Sequence, residues 1–348
     1  PLSGRFSAVS KSPLTGLFGA SNCGGPFGVA LKTAGYLGLI IKGRANKPVV
    51  LEITHEGIEI KNAESLWGLS TGEAQEALNL GRMDGALIIG PAGENLVSYA
   101  CIRSGERFLG RLGFGAVLGS KNLKGVVVRG GYYKIVPPDK RKSEKVKKLA
   151  LKKIRANELS MLYRRYGTNT NIELSAKSGI LPIRNFKRLD VPDEVEKISG
   201  PFIEENFDLL QNPCAMCSLV CGHKMKVDGK VLHVPEYETN ALFGSCCAIF
   251  DIKKVAEVNH LCNELGLDTI STAGTVSYIM EASEKGILNL GLKFGDGDGV
   301  IKLIEDIAYK RGFGAEAAMG SRYLSEKYGG REFAMQVKGL ELAAYDPR

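Results

Sequence analysis

The chain has 348 residues, of which 44% are hydrophobic and 24% charged, and its formal net charge is +8. A chain of this length buries a large core without disulfide bonds and predicts about two or three domains. No run of about 18 apolar residues occurs, so we expect no membrane span. The N-terminal residues lack the apolar centre of a secretory signal, so we expect a cytoplasmic protein.

The first part of the chain, residues 1–134, predicts a β-rich domain. Short β-branched runs separated by glycine are typical of strands, and they occur at residues 36–43, 49–60, 85–90 and 123–130. Many of the 43 glycines of the chain fall in this part. Because glycine has no side chain, it lets one backbone segment approach another, or approach a ligand.

Two glycine-rich segments of this domain are candidates for anion binding. They are residues 22–28, which include Asn22, Gly24 and Gly25, and residues 110–122, which include Arg111, Gly113 and Gly115. Backbone N–H groups of such loops cradle phosphate, and an arginine adds a two-pronged donor. The second segment is not a Walker A loop, because its spacing and its ending do not match. It is not a dinucleotide fingerprint either, because we expect a strand and no helix directly after it. The alternative for each segment is a tight connection.

Residues 133–142 predict a domain boundary, because two prolines and a run of charges end the strand pattern there. The domain that follows, residues 135–348, is predicted to be mostly helical. We expect helices over 143–159, 251–265, 272–285 and 300–310, with Ser143 and Asp251 as N-caps and Gly266 ending the second helix. The predicted fold class is therefore α+β, with a β-rich N-terminal domain followed by one or more mostly helical domains.

The lysine-rich stretch at residues 140–153 carries much of the positive charge. A solvated helix face explains such a stretch. The alternative is a docking surface for an acidic partner or an anionic cofactor. Nucleic-acid binding is not expected, because no basic stripe is interleaved with aromatic residues.

Three of the eight cysteines form a C-x2-C-x3-C pattern at Cys214, Cys217 and Cys221. Such spacing in a tight loop lets thiolates reach neighbouring corners of an iron–sulfur cluster. The alternatives are a zinc site with His223 as fourth ligand and a group of buried free thiols. A [4Fe–4S] cluster takes four cysteines, and Cys246 or Cys247 is a candidate for the fourth.

Two pairs of residues after the cysteines are candidates for acid–base or metal chemistry. A strand would turn Glu236 and Glu238 to the same face, where a glutamate close to a redox centre acts as a general base. The alternative for this pair is an exposed strand edge. Glu257 and His260 are three residues apart on a predicted helix and share a face, so they could bind one metal. The alternative for them is a solvated stripe.

Seven segments, in this order, resemble the aldehyde:ferredoxin oxidoreductase family: SGRFSAVSKSPLTG, SNCGGPFGVALKTAGYLGLIIKG, GRLGFGAVLGSKNLKG, CAMCSLVCG, PEYET, CNELGLDTIS and KGLELAAYDPR. The resemblance implies a tungsten or molybdenum ion held by two pterin dithiolenes, with a [4Fe–4S] cluster alongside. It implies oxidation of aldehydes to carboxylates, with electrons passed to ferredoxin or an electron-transfer subunit. It also implies a β-rich base that carries the cofactor under two mostly helical domains.

The resemblance assigns roles to particular residues. Arg5, Asn22 with Gly24 and Gly25, and the loop Arg111–Gly115 would contact the pterin phosphates and a bridging Mg²⁺. Cys214, Cys217 and Cys221 would be cluster ligands, and Glu238 would lie beside the metal. Asn263, Gly266, Leu267 and Asp268 match a pterin-binding motif, although Asn263 stands where the family usually has aspartate. Glu257 and His260 match a pair that holds a metal between subunits, which implies a homo-oligomer or complex.

The sequence departs from the family pattern in its extent. Family chains are longer, so this sequence is expected to be a fragment without their first segment and without the tail after the AAYDPR motif. That tail would hold the fourth cluster cysteine, an active-site histidine and a second pterin motif. Two alternative functions therefore stay open. One is a non-catalytic or partner-dependent cofactor-binding subunit, and the other is a zinc-stabilised interaction module.

Overall fold

The computed structural model describes residues 4–187, 190–214 and 217–348. Its first part contains β1 (Phe6–Lys11), β2 (Phe18–Cys23), β3 (Val49–Ile53), β4 (Ile58–Asn62), β5 (Gly85–Ile88), β6 (Ile102–Ser104), β7 (Arg107–Leu109) and β8 (Leu123–Val128). It also contains α1 (Phe27–Thr33), α2 (Thr71–Ala77), α3 (Pro91–Glu94) and α4 (Phe114–Gly119). β1 and β2 form an antiparallel hairpin, and the other strands form one sheet in the order β4-β3-β8-β5-β6-β7.

The six-stranded sheet is mixed. β3 and β8 pair in parallel, and the other neighbouring strands pair antiparallel. β8 is buried at every position, as expected of a central strand covered on both faces. Val126 packs with Phe27 and Phe114 on one face, and Val127 packs with Ile88 on the other. The β-rich character predicted for this part is confirmed.

One prediction for this part is wrong, and a second is incomplete. Residues 36–43 form an exposed loop instead of a strand, with Leu37 94% exposed and Ile40 87% exposed. The segment 110–122 is followed by a strand, β8, as predicted, but it is not only a loop, because it contains α4. Glycine permits that helix, because a Cβ at Gly115 would lie only 2.4 Å from the carbonyl oxygen of Cys101, and one at Gly119 only 2.0 Å from that of Gly93.

The second part is mostly helical, as predicted. Its helices are α5 (Lys140–Arg155), α6 (Glu158–Tyr166), α7 (Thr170–Lys177), α8 (Gly200–Asn206), α9 (Tyr237–Thr239), α10 (Ile252–Leu265), α11 (Thr269–Glu284), α12 (Gly297–Ala308), α13 (Gly314–Ala317) and α14 (Ser321–Tyr328). A π-helical segment, Asn240–Cys246, continues α9. β9 (Leu209–Gln211), β10 (His223–Val227) and β11 (Lys230–His233) form a small antiparallel sheet, and β12 (Gln336–Val337) pairs with β13 (Leu340–Glu341).

α10 agrees with its prediction at both ends. The Asp251 side chain accepts a hydrogen bond from the backbone N–H of Lys253, and Gly266 ends the helix in the left-handed conformation at φ 77°. An apolar stripe is buried along the helix, at Ile252, Val255, Cys262 and Leu265. Because both caps and the stripe agree, local sequence sufficed to define this helix.

Two helix starts differ from the predictions. α5 begins at Lys140 because Asp139, and not Ser143, accepts the capping hydrogen bond, from the backbone N–H of Lys142. α11 begins at Thr269, three residues before the predicted start, because the Asp268 carboxylate accepts from the backbone N–H of Ile270. Along the described chain, no helix has both the length and the apolar character needed to cross a bilayer.

The two parts of the chain meet at the junction between α10 and α11. Leu267 forms an isolated β-bridge with Ala100. Glu264 accepts hydrogen bonds from Arg103 Nη1 at 2.8 Å and from the Ser70 hydroxyl at 2.9 Å. These contacts attach the end of α10 to the β-rich part. The domain boundary near residue 134 stays a prediction.

Candidate functional site

A cavity of about 510 Å³ lies where the two parts meet. Its wall includes nine of the residues singled out from the sequence: Arg5, Asn22, Arg111, His223, Glu236, Glu238, Asn263, Leu267 and Asp268. These residues come from six separate stretches of the chain. The fold therefore brings most of the expected cofactor-binding side chains to one place.

The predicted glycines contribute to this site mainly through close packing of the backbone. A Cβ at Gly25 would lie 2.3 Å from the carbonyl oxygen of Ser104, and one at Gly113 would lie 1.9 Å from that of Ser98. Gly24 faces the segment that carries Cys214, Cys217 and Cys221, called here the cysteine loop. A Cβ at Gly24 would be 3.5 Å from Cys214 Sγ. Gly110, which the sequence analysis did not single out, lines the cavity with free space beside it.

Asp268 is placed by the turn that joins α10 to α11. The left-handed Gly266 reverses the chain, and the Asp268 N–H donates to the carbonyl of Tyr99 at 3.1 Å. One carboxylate oxygen of Asp268 then caps α11. The other, Oδ2, lies 3.3 Å from Arg111 Nε. Burial raises the pKa of the Asp268 carboxyl, and the nearby Arg111 guanidinium opposes that shift.

Arg111 reaches the cavity from a strained loop. Leu112 and Gly113 are both left-handed, with φ of 77° and 73°, and such a conformation is uncommon for leucine. Arg111 Nη2 donates to the carbonyl of Glu341 at 2.7 Å. However, the Nε of Arg111 and the Oδ2 of Asp268 are both buried without a well-aligned hydrogen-bond partner. A cationic donor and an anionic acceptor thus lie side by side behind the cavity wall, each with hydrogen-bonding capacity that no well-aligned bond uses.

Glu238 lies in the short helix α9, and the prediction that it shares a strand face with Glu236 is wrong. Glu236 precedes the helix, is exposed, and accepts from the Thr168 hydroxyl at 2.5 Å. Glu238 is half-buried, and its Oε2 accepts from the backbone N–H of Ala344 at 2.8 Å. Burial raises the pKa of the Glu238 carboxyl. An anchored carboxyl at a cavity wall, with a pKa raised by burial, is suited to proton transfer.

The cysteine loop lies next to the same cavity and is joined to it by Arg107. Arg107 Nε donates to Cys214 Sγ at 3.1 Å, and its Nη2 donates to the carbonyl of Asn212 at 2.9 Å. The same arginine lines the cavity. Sequence reasoning missed Arg107, although its position four residues before Arg111 in a glycine-rich stretch was an available signal. Burial raises the pKa of the Cys221 thiol.

The candidates for a fourth metal ligand, Cys246, Cys247 and His223, are each engaged in other contacts. Cys246 ends the π-helical segment and Cys247 follows it; both are fully buried, and Cys247 Sγ is 3.6 Å from the carbonyl oxygen of Ala273. His223 Nε2 pairs with the carbonyl of Arg164 at 3.1 Å, so its ring is already engaged. Within the described ranges, no three His, Cys, Asp or Glu side chains are arranged to hold one ion.

Glu257 and His260 share a face of α10, as predicted, but they lie outside the cavity wall. Glu257 accepts from Lys254 Nζ at 2.8 Å, and His260 is exposed. A second acidic group that the sequence analysis missed does line the cavity. Glu106 pairs with His233 and with Lys224, and the His233 hydrogen bond contributes most to lowering the pKa of the Glu106 carboxyl to about 2.

Two family models together match most of the chain. Residues 1–130 match the N-terminal domain of aldehyde ferredoxin oxidoreductase, and residues 145–348 match its domains 2 and 3. The chain is 40% identical to the tungsten-containing aldehyde ferredoxin oxidoreductase of Pyrococcus furiosus and 39% identical to that of Thermococcus kodakarensis. Each alignment covers 100% of this chain and 59% of the relative. The chain therefore spans about three fifths of the length of these relatives.

More distant similarities extend to other reactions. The chain is 30% identical to the aliphatic sulfonate oxidoreductase, WOR-like subunit, of Pyrococcus furiosus, of which it covers 61%. Its fold matches a solved structure of the active site complex BamBC of benzoyl coenzyme A reductase with 1,5-dienoyl-CoA, at a TM-score of 0.80 and 25% identity. That match covers 98% of this chain and 55% of the other. On the strength of the two family models, the chain belongs to the aldehyde ferredoxin oxidoreductase family.

Proposed function

We propose that this chain forms the cofactor-binding part of a tungsten or molybdenum bis-pterin oxidoreductase. The enzyme would oxidise aldehydes to carboxylates and pass electrons through a [4Fe–4S] cluster to ferredoxin or an electron-transfer subunit. The observation that carries the proposal is the pairing of Arg111 and Asp268. Both residues line a cavity that Arg107 connects to the cysteine loop, and their Nε and Oδ2 atoms lie 3.3 Å apart without a well-aligned hydrogen bond.

The residues present fit a pterin cofactor. A pterin offers ring donors and acceptors together with an anionic phosphate, and the cavity wall offers partners for both. Arg5 donates to the backbone of Asn22 at 3.2 Å, so a cation and an amide side chain lie together at one end. Arg5, Asn22 and Arg111 would hold phosphate and its Mg²⁺, and Asn263 and Asp268 would bond to the ring. Cys214, Cys217 and Cys221 would hold the cluster.

The chemistry divides between the cofactor and the chain. When bound, the metal–pterin group and the cluster supply the two-electron oxidation and its separation into single-electron transfers. Glu238 would take a proton from the water or hydrated aldehyde at the substrate carbon. The Ala344 N–H fixes one oxygen of this carboxylate, and Arg111 helps to keep it charged. Glu257 and His260 would hold a metal between subunits, once Lys254 releases Glu257.

The experiment that tests the proposal is an analysis of metals and acid-labile sulfide in the purified native holoenzyme. We expect tungsten or molybdenum together with about four irons per chain. Zinc alone, without sulfide, would overturn the proposal and favour the zinc-stabilised module. Tungsten or molybdenum without turnover of a panel of aldehydes would favour the non-catalytic subunit.

A further inference from the structure

The strongest concentration of charge in the molecule lies on α5. Its sixteen residues include nine lysines or arginines and one glutamate, so the net charge of this helix, +8, equals that of the entire chain. None of its side chains is buried. The rest of the chain is therefore balanced in charge, and the excess is concentrated on one exposed helix.

Stability does not explain this helix. Like charges three or four residues apart repel one another, as Lys148 and Lys152 do. The contacts that offset the repulsion are local, namely the Asp139 cap and a Glu144–Lys147 pair at 3.8 Å. A helix that adds no buried side chain to the core and carries repelling charges is better explained by a role in binding.

The helix is joined to the cysteine loop through α6. Asn157 caps α6 directly after α5 ends, so a two-residue connection joins the two helices, and residues 140–166 are called here the basic hairpin. Arg164 Nη1 donates to the carbonyl of Ser218 at 3.3 Å, inside the cysteine loop. The Arg164 carbonyl bonds to His223 just after that loop. The basic hairpin thus packs against the segment proposed to hold the cluster.

The surface of the basic hairpin has the composition of a binding site. Exposed apolar side chains lie among the cations: Val146, Leu149, Leu159, Met161 and Leu162, which are 57, 54, 45, 50 and 40% exposed. Lys148, Lys152 and Arg155 border one open depression on α5. Protein interfaces commonly combine an apolar centre with a charged rim. A second copy of this surface is a poor partner, since it would place like charges against each other.

We propose that the basic hairpin docks an acidic electron-transfer protein and holds its redox centre close to the cysteine loop. The inference rests on the proposed function for the presence of a cluster in that loop. Charge complementarity would steer the acidic partner to the hairpin, since such steering raises association rates by about 10 to 1,000-fold at low salt. The apolar side chains at the centre would then give the contact its short-range affinity.

The test compares two charge-neutralised variants of the holoenzyme. One replaces four hairpin lysines by glutamine, at Lys145, Lys148, Lys152 and Lys153. The control replaces four exposed cations elsewhere by glutamine, at Lys42, Arg44, Lys293 and Lys302. Glutamine and lysine have similar helix propensities, so α5 should persist. The acceptors are a purified ferredoxin of net negative charge and a small viologen dye.

For the hairpin variant, we expect the KM for ferredoxin to rise about tenfold at low salt, with weaker salt dependence. Turnover with the dye should be unchanged, and the control variant should resemble the wild type. An equal response of both variants, or no change in either, would overturn the proposal. Loss of binding to anionic phosphatidylglycerol vesicles with unchanged ferredoxin kinetics would also overturn it, in favour of a lipid surface.

The wild type and the two variants also distinguish a failure of this inference from a failure of the proposed function. If the wild type shows no dye-linked turnover, the proposed function has failed. Calorimetric binding of the ferredoxin to both variants still decides whether the basic hairpin docks it. Binding weakened only in the hairpin variant supports docking, and equal binding to all three proteins overturns it.

Discussion

The cavity wall and the basic hairpin both concentrate charge, but in opposite surroundings. In the cavity wall, Asp268 is 3% exposed and faces Arg111 with hydrogen-bonding capacity unused. On α5 of the basic hairpin, nine cations face solvent and none of their side chains is buried. A buried charge is weakly screened and depends on its partner, whereas an exposed charge is screened and is worth little by itself. The buried charges of the cavity wall are therefore suited to binding and proton transfer, and the exposed charges of the basic hairpin are suited to long-range attraction of a partner.

The largest expected effect is on turnover, from a substitution in the cavity wall. Replacing Glu238 by glutamine should lower kcat by about 100 to 10,000-fold, because the amide can still accept from the Ala344 N–H but cannot take a proton. Steady-state kinetics with a small dye acceptor would measure it. Metal and sulfide contents should stay at wild-type levels, as should the dye-linked kcat of the hairpin variant. An unchanged kcat would remove Glu238 from the mechanism.

The next largest effect is on folding. Asp268→Ala should lower the free energy of unfolding by about 3–5 kcal/mol, because it leaves the Arg111 guanidinium buried without its partner and also removes the cap of α11. Urea denaturation would measure the change. Lys152→Ala on the basic hairpin is the matched control and should change stability by no more than about 0.5 kcal/mol. Similar values for the two variants would mean that the buried pair contributes no more than a surface charge.

The Asp268 carboxyl also makes the stability contributed by the cavity wall depend on pH, and the basic hairpin has no such buried carboxyl. Burial raises the pKa of Asp268 in the folded state above its value in the unfolded chain, so the folded state binds the proton more tightly. Stability should therefore fall as pH rises from the unfolded pKa, about 4, through the raised folded pKa. Urea midpoints over that range should show this fall in the wild type, and Asp268→Asn, which keeps an oxygen for the cap, should show a smaller one. An equal slope in both proteins would assign the pH dependence to other groups.

Local patterns in the sequence predicted the parts of the molecule that local physics determines. α10 was predicted at both ends because its cap, apolar stripe and terminal glycine all lie within sixteen residues. The spacing of Cys214, Cys217 and Cys221 likewise indicated a ligand loop. In contrast, residues 36–43 have the composition of a strand but form none, because no neighbouring strand pairs with them in the described sheet.

The contacts that build the cavity could not be predicted from local sequence patterns. Asp268 and Arg111 are far apart in sequence, as are Arg107 and Cys214, and nothing in either local segment indicates the other. The pair Glu236 and Glu238 was assigned to a strand from its spacing alone. Instead, Tyr237 between them donates its hydroxyl to the carbonyl of Ala344 at 2.6 Å. That tertiary contact fixes the helical turn. The family resemblance was what distinguished Glu238 from Glu236 as the site residue.

The smallest expected effect concerns Arg107, which lies between the two regions. A hydrogen bond donated to a cluster thiolate stabilises the more negative, reduced cluster, so its loss should lower the reduction potential. Such a bond contributes about 1 kcal/mol, which corresponds to about 40 mV for a one-electron couple. Arg107→Gln should therefore show a potential lower by about this amount in a redox titration followed by electron paramagnetic resonance.

Arg103→Gln is the matched control, because Arg103 lies four residues earlier and bonds to Glu264 instead of a cysteine. It should leave the potential unchanged while weakening the contact between the two parts of the chain. If both substitutions shift the potential equally, the effect comes from the general loss of positive charge and not from the bond at Cys214. A shift confined to Arg107→Gln would instead assign the change in potential to the single hydrogen bond at Cys214. Arg107 would then be the residue through which the cavity wall influences the transfer of electrons toward the basic hairpin.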